Sequence, residues 1–444
     1  MQESVHVGRG GSRGTRYLVS SGLLFAGAAL LAAGCHGSSG DGNAGEKKSA
    51  DKKEAESVTI TWWDTSDSTN EAPKFKDLIS KFETKYPRIK VDYQNIPFDQ
   101  ARDKFKTAAQ ANTAPDVMRA EVAWTPEFAS LRYLAPLDGT AAAEGTGDYL
   151  SAPLATNHYE GKLYGVPQVT DALALLYNKA LLQKAGVAEP PATMDQLKQA
   201  ALAVKAKAGA DGLYLVPKGY FLLPFIYGAG GDLLHTDQKK ISVNAPEAVK
   251  GLEMALDLIK SGAAAKPDLN SGYNQMQAGF KDGKVAMVIN GPWSVADDFS
   301  GKAFADKNNL GIAPVPAGST GKSGSPLGGH NYVAYAGSKN LDASYQFIQF
   351  MNSAENQAYL AKELGLLPTR SSTYKLPETA QNAVVSKFKS VIDKAVVRPT
   401  IPQGGQLLIS LDQQYPRAVS GDKTPQAALD AVASDYKQFL KDWN

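Results

Sequence analysis

Cysteine is nearly absent from this chain: one residue, Cys35, among 444. A single thiol excludes an intramolecular disulfide and any zinc site that needs two thiolates. Histidine is scarce too. His6, His36, His158, His235 and His330 are scattered, without the His-x-x-x-His or Glu-x-x-His spacing of a metal site. Net charge is small: removing the three arginines and one glutamate of residues 1–34 from 47 basic and 45 acidic residues leaves 44 of each. That excludes the basic footprint of a nucleic-acid binder. No internal repeat stands out, and no Gly-x-Ser-x-Gly elbow is present. GSTGKS (318–323) resembles a phosphate loop, but Pro316 stands where that loop needs its first glycine, so it reads as a surface loop. DTSDSTN (64–70) lacks the alternating ligands and central glycine of a calcium loop. The two carboxylates of a glycosidase must lie at a set separation, which a sequence does not reveal. Nothing in this inventory argues positively for an enzyme, a metal or a cofactor.

What is present begins at the N-terminus. Arg9, Arg13 and Arg16 precede an apolar stretch from Tyr17 to Ala33, the layout of an export signal. The stretch falls short of the roughly 20 apolar residues that span a bilayer. Ala33 and Gly34 directly precede Cys35. This resembles the lipobox of bacterial lipoproteins, with Ala32 where that motif prefers leucine. The resemblance implies lipidation of Cys35 after removal of residues 1–34; the alternative is an ordinary secretory signal beside an incidental cysteine. Residues 36–57 (HGSSGDGNAGEKKSADKKEAES) contain almost nothing that can be buried, so 35–57 reads as a solvated linker.

Hydrophobic patterning starts at Val58 and continues to Leu440, too long for one compact core and enough for two lobes. VTITWW (58–63) reads as a strand. Phe75, Leu78, Ile79 and Phe82 form one apolar helix face, Pro87 ends it, and IKVDY (89–93) returns as a strand. Such a βαβ unit predicts a largely parallel sheet. Further helices are predicted over 99–111, 194–208, 246–261 and 424–441, the last with Ala427, Leu429, Val432, Tyr436 and Leu440 on its apolar face; DVMRA (116–120) reads as a strand. The fold class is α/β, and open α/β sheets bind ligands beyond the carboxyl ends of their strands.

A sugar presents hydroxyl edges and flat C–H patches, so its site needs aromatic faces beside planar polar groups. Such pairings recur at strand ends here. Trp62 and Trp63 are followed by Asp64, Ser66, Asp67 and Asn70; strand alternation sends the two indoles to opposite faces, so at least one belongs to the core. Glu121 and Trp124 follow the strand at 116–120, where the acid could equally serve a helix start. Tyr220 opens the aromatic run GYFLLPFIYGAGG (219–231). Trp293 lies on a Gly-Pro turn after the strand KVAMVIN, a position that core packing explains poorly.

These segments, in this order, resemble the family 1 solute-binding proteins of ABC sugar importers, and within them the maltose/maltodextrin-binding lipoproteins of Gram-positive, particularly actinobacterial, bacteria. The resemblance rests on TWWDTSDSTNEAPKF (61–75), KFETKYPRIKV (81–91), APDVMRAEVAWTPEFASLRYLAPLD (114–138), YGVPQVTDALALLYNK (164–179), GAGGDLL (228–234), GKVAMVINGPW (283–293) and LGGHNYVAYAGSKN (327–340). It implies a two-lobed, class II periplasmic-binding-protein-like fold with the ligand cleft between lobes. Lobe I would comprise 58–170 and 328–372, and lobe II 171–327 and 373–444, with chain crossings near 168–171, 326–329 and 372–375. Asp171 matches the acid that hydrogen-bonds sugar hydroxyls, Trp293 the stacking tryptophan of the Asn-Gly-Pro-Trp turn, and Tyr220 a sugar-contacting tyrosine. His330 and Gln406 complete the candidate set. Leucine in IPQGGQLL (401–408) replaces a further stacking tryptophan of the enterobacterial relative. The implied protein is a monomeric, non-catalytic, lipid-anchored receptor on the outer face of the cell membrane. It would bind maltose, maltotriose or maltodextrin and deliver it to the transmembrane subunits of an ABC permease, with no cofactor, metal or nucleic acid. Alternatives are a receptor for cellobiose or xylobiose, a surface glycoside hydrolase, or a scaffold without a small ligand.

Overall fold

The computed structural model describes residues 57–444. The expected export signal, Cys35 and nearly all of the 35–57 linker lie outside the described residues.

The first βαβ unit forms as its pattern predicts. β1 (Val58–Asp64) leads into α1 (Ala72–Lys85), which carries Pro73 in its first turn and buries Ala72, Phe75, Leu78, Ile79 and Phe82. Each fully buried side chain of this size contributes about 1.5–3 kcal/mol. β2 (Ile89–Asn95) pairs parallel to β1. α2 (Phe98–Gln110), β3 (Val117–Glu121) and α3 (Trp124–Ser130) follow, with β3 parallel to β1 on its other side. β4 (Gly165–Ala172), buried throughout, passes through Leu173 into β5 (Ala174–Asn178). β4 and β5 belong to different sheets, so the chain crosses between lobes at this point.

The second lobe adds α4 (Met194–Lys207), β6 (Asp211–Tyr214), α5 (Gly219–Gly228), α6 (Pro246–Lys260), α7 (Gly272–Lys281), β7 (Val285–Asn290) and β8 (Leu310–Pro314). A capping box between Thr193 and Gln196 sets the start of α4. GSTGKS lies in the loop after β8. β9 (Leu327–Ala334) then returns to the first sheet. The remaining long helices are α8 (Leu341–Met351), α9 (Ala354–Leu364), α10 (Ala383–Ile392), α11 (Gly404–Ser420) and α12 (Pro425–Phe439). In α12 the buried position is Ala428, not the predicted Ala427.

The strand orders are β2-β1-β3-β9-β4 in one lobe and β8-β5-β7-β6 in the other. Both sheets are mixed, which corrects the largely parallel sheet expected from the opening unit. β9 runs antiparallel to β3 and β4, and β5 runs antiparallel to β7 and β8. The cause is the crossing itself: a chain that leaves one lobe and comes back re-enters against the direction of its neighbours. Apolar layers cover both faces of each sheet. In β1, Ile60 and Trp62 enter one layer and Trp63 the other, as strand alternation requires.

The crossings are hydrogen-bonded to one another. The Leu327 amide donates to the Val396 carbonyl at 2.8 Å, and the Val396 amide to that of Ser325 at 2.8 Å. A third segment, 396–398, thereby lies beside the second crossing.

Candidate functional site

Beyond the ends of β3, β4 and β9, charged and aromatic side chains converge where the lobes meet. Asp171, next to last in β4, is 6% exposed and accepts a hydrogen bond from the Tyr220 hydroxyl at 3.2 Å. Tyr220 reaches it because Gly219 and Tyr220 form the first turn of α5, pointed back at the crossing. The Arg398 guanidinium lies 5.3 Å above the Tyr220 ring centroid and pairs with the Glu121 carboxylate at the end of β3. The second Glu121 oxygen accepts from the Ala123 amide at 2.9 Å, so the same acid organises the start of α3.

Burial governs the charges. It pushes the Asp171 carboxyl up to about 7, opposed by Arg398 and reinforced by Glu121. It also raises the Tyr220 phenol well above its ordinary value, with Asp171 adding to the effect. On Arg398 burial acts to lower the affinity for its proton, but Glu121 more than compensates, and the guanidinium stays charged. His330 in β9 faces Glu121 in register. Burial, then Arg119 and Arg398, holds its imidazole neutral. Both His330 ring nitrogens are buried without a hydrogen-bond partner.

Trp293 closes the other side. Its Nε1 donates to the Tyr273 hydroxyl at 3.0 Å, and its ring centroid is 6.3 Å from that of Tyr220. The indole packs against apolar clusters of both lobes. Its turn is held from behind. Gln277 Nε2 donates to Asp298 at 2.7 Å, the Ser294 hydroxyl donates to the same carboxyl at 3.1 Å, and Asn290 Nδ2 donates to Gln277 Oε1 at 3.1 Å.

The predicted residues on the β1–α1 loop are hydrogen-bonded within their own lobe. Asp64, fully buried, accepts from the Tyr93 hydroxyl at 2.7 Å and from both the amide and hydroxyl of Ser66. Asp67 is exposed and accepts the Thr69 and Asn70 amides at 3.1 and 2.6 Å. These groups serve the loop because a chain leaving a strand for a helix has several amides to satisfy. Trp63 packs, like Trp124, in an apolar cluster of its lobe and is 6% exposed. Its Nε1 donates to Gln94 at 3.1 Å, the Lys104 ammonium covers its ring at 4.6 Å, and Phe105 and Met118 share its cluster. Asn70 does reach the opposite lobe, with Nδ2 3.4 Å from Asp297. Gln406 lies in the first turn of α11, beside Gly404 and Gly405, and Gly405 approaches Trp124.

Sequence reasoning missed Arg398, Arg119 and Glu71. Arg119 is buried and donates to Gln168 at 2.9 Å and to Thr65 at 3.3 Å. Glu71 is buried with one oxygen unpaired; burial raises it to about 7 against the pull of Arg119. An isolated arginine in the apolar run AVVRPTIP (395–402) was the available signal, since a buried charge needs a partner. Among the described residues no group of three or more His, Cys, Asp and Glu side chains could hold a metal ion.

Two α/β lobes meeting over a polar and aromatic cleft define a ligand-capturing receptor. Residues 65–358 match the family model for bacterial extracellular solute-binding proteins, and the chain belongs to that family. The GacH receptor of Streptomyces glaucescens, solved unliganded and with acarbose, is 47% identical, with a TM-score of 0.85 over 87% of this chain and 100% of that one. Maltose-bound MalE3 of T. maritima is 26% identical, with a TM-score of 0.79 over 86% of this chain and 100% of that one. A maltooligosaccharide ABC transporter solute-binding lipoprotein of Streptococcus pneumoniae R6 is 27% identical over 76% of this chain and 79% of its own length.

Proposed function

We propose that this protein is the receptor of an ABC sugar importer. It binds an α-1,4-linked gluco-oligosaccharide such as maltose or maltotriose by closure of its lobes and hands it to the permease. The observation that carries this reading is the Asp171–Tyr220–Arg398–Glu121 cluster at the crossing strands, flanked by Trp293 and by a His330 imidazole with two buried, uncommitted nitrogens. Aromatic faces beside charged hydrogen-bonding groups suit a pyranose. The relatives above add weight, since they are named for maltose, maltooligosaccharide and acarbose.

Asp171 and Glu121 accept sugar hydroxyls, His330 exchanges hydrogen bonds with them, and Trp293 stacks on a ring. Closure transmits occupancy because the ligand contacts both lobes at once, so the closed form binds it better than the open one. The lobes are read as 58–170 with 328–372, and 171–327 with 373–444. Cys35 is read as the lipid anchor that keeps the receptor at the outer membrane face beside its permease.

A thermal melt against a sugar panel tests the ligand. Maltose or maltotriose should raise the midpoint through preferential binding to the folded state, and Asp171→Ala should abolish most of the rise. A panel without any shift would sink the receptor reading; a shift with cellobiose or xylobiose alone would redirect it. Metabolic labelling with an alkynyl fatty acid should mark the wild type and leave Cys35→Ala unlabelled.

A further inference from the structure

The apolar stripe of α2 does not stop where the core of its lobe stops. Ala101, Phe105 and Ala109 are its buried apolar residues, at core-facing spacing. Phe98 continues that stripe one turn earlier, at the first helical position after Pro97, and there it is 45% exposed. The large exposed apolar side chains among the described residues are Phe98, Leu131, Leu202, Leu269, Val397 and Ile409, and Phe98 is the one aromatic in that set. The exposed part of such a ring is apolar surface left in water.

The ring is held from behind. Trp124 stacks on it with centroids 5.2 Å apart and planes 27° from parallel. His330 meets it edge-on at 5.9 Å and 72°, with both imidazole nitrogens buried and unpartnered. Trp124 is also the side chain that Gly405 approaches from the other lobe, which places Phe98 at the lip of the cleft. A supported, part-exposed aromatic face beside free imidazole nitrogens offers what one sugar ring needs: a surface for its C–H face and a hydrogen-bonding group for its hydroxyl edge. Gly328, the register partner of Asp171, and His330 lie two residues apart on β9, about 7 Å along the strand. That offset is on the scale of one sugar unit.

Resting on the sugar-receptor reading, we infer that Phe98 is a stacking platform for a second pyranose ring. It adjoins the ring held at Asp171 and Tyr220, and His330 binds hydroxyls between the two. The platform favours oligosaccharides over monosaccharides, because a single ring at Asp171 does not reach it.

Isothermal titration of the full chain with maltose and with glucose tests this, using wild type, Phe98→Ala, Phe98→Leu and Phe98→Trp. Alanine and leucine should each weaken maltose binding about tenfold, and tryptophan should retain it, since leucine keeps apolar bulk but lacks a face. Melting temperatures should stay close to wild type, because the side chain is exposed. Three results would overturn the platform: wild-type affinity in Phe98→Ala, wild-type affinity in Phe98→Leu, or a loss for glucose as large as that for maltose. An equal loss in all three variants with a lowered melting temperature would reassign Phe98 to packing. Wild-type protein that binds no oligosaccharide would instead remove the receptor reading, and this inference with it.

Discussion

Trp62 and Trp293 both follow strand-like runs, yet the structure uses them oppositely. Trp62 is still inside β1, paired with Tyr93 of β2 on one side and Val117 of β3 on the other. Its side chain must therefore enter a sheet face. Phe75, Tyr93, Tyr332 and Phe347 meet it edge-on with centroids 5.3–6.0 Å away. Trp293 stands three residues beyond the end of β7, past a Gly-Pro turn, where no sheet face exists to receive it. Its ring folds back over Gly291, where an added Cβ would come within 1.9 Å of the indole. It touches both lobes instead of filling one. Position relative to the strand end, more than residue type, decides whether an indole fills one lobe or touches both.

The comparison breaks most visibly on stability. Trp62→Ala should cost about 3–5 kcal/mol of folding free energy, the range for removing a buried aromatic, measured by urea unfolding. Sugar affinity of the folded fraction should change little. Trp293→Ala should do the reverse, weakening sugar binding by about 1–3 kcal/mol while the unfolding midpoint hardly moves. A Trp62 variant that lost affinity without losing stability would erase the distinction.

This contrast also marks what the sequence could convey. The β1–α1–β2 unit, α2 and α12 were legible because their periodicities are local. The placement of Asp171, Tyr220 and Trp293 along the chain came from the family resemblance, and that of Trp293 also from its turn. The antiparallel entry of β9 was not legible, since it depends on a chain that departs for more than 150 residues and returns. For Asp64, Ser66 and Asp67 the sequence leaves two roles open, because polar groups after a strand can face a ligand, cap a loop, or do both. Arg398 escaped because its partner, Glu121, is 277 positions away.

A smaller effect should follow from propping the lobes apart. A Cβ on Gly405 would lie 3.0 Å from Arg102 Nε and 3.3 Å from Trp124 Cδ1. Arg102 cannot easily yield, because it is held by Glu127 through two hydrogen bonds of 2.7 and 2.6 Å. Gly405→Leu should therefore hold α11 off α2 and α3, since added bulk at a packed contact forces the backbone to shift, and weaken sugar binding less than Trp293→Ala does. Small-angle scattering should show a larger radius of gyration in the presence of sugar than wild type shows. A compact, fully competent Gly405→Leu protein would mean that Trp293 meets both lobes without help from this contact.

The smallest effect concerns the carboxyl behind Trp293. Burial pushes Asp298 up to about 8, while Ser294, Gln277 and Lys281 pull it down and Asp297 pushes it further up. In the unfolded chain an aspartate titrates near 3.9. Between about pH 4 and 8 the folded protein therefore holds a proton that the unfolded chain has released. The contribution of Asp298 to stability is full below pH 4 and declines as pH rises through that window. On the Trp62 side Glu71, one turn before Phe75 at the start of α1, is likewise raised by burial, to about 7, so the indole that responds tells which carboxyl titrates. Asp298→Asn, which keeps an acceptor for Gln277 but cannot ionise, should flatten the fall in melting temperature between pH 5 and 9. At pH 9 it should gain about 1–3 °C over wild type. Near-ultraviolet circular dichroism of wild type should change over the same range, and Trp293→Phe should remove that change, whereas Trp62→Phe should leave it. If the change instead followed Trp62, the titrating group would lie in the lobe core and not in the turn that presents Trp293 to the cleft.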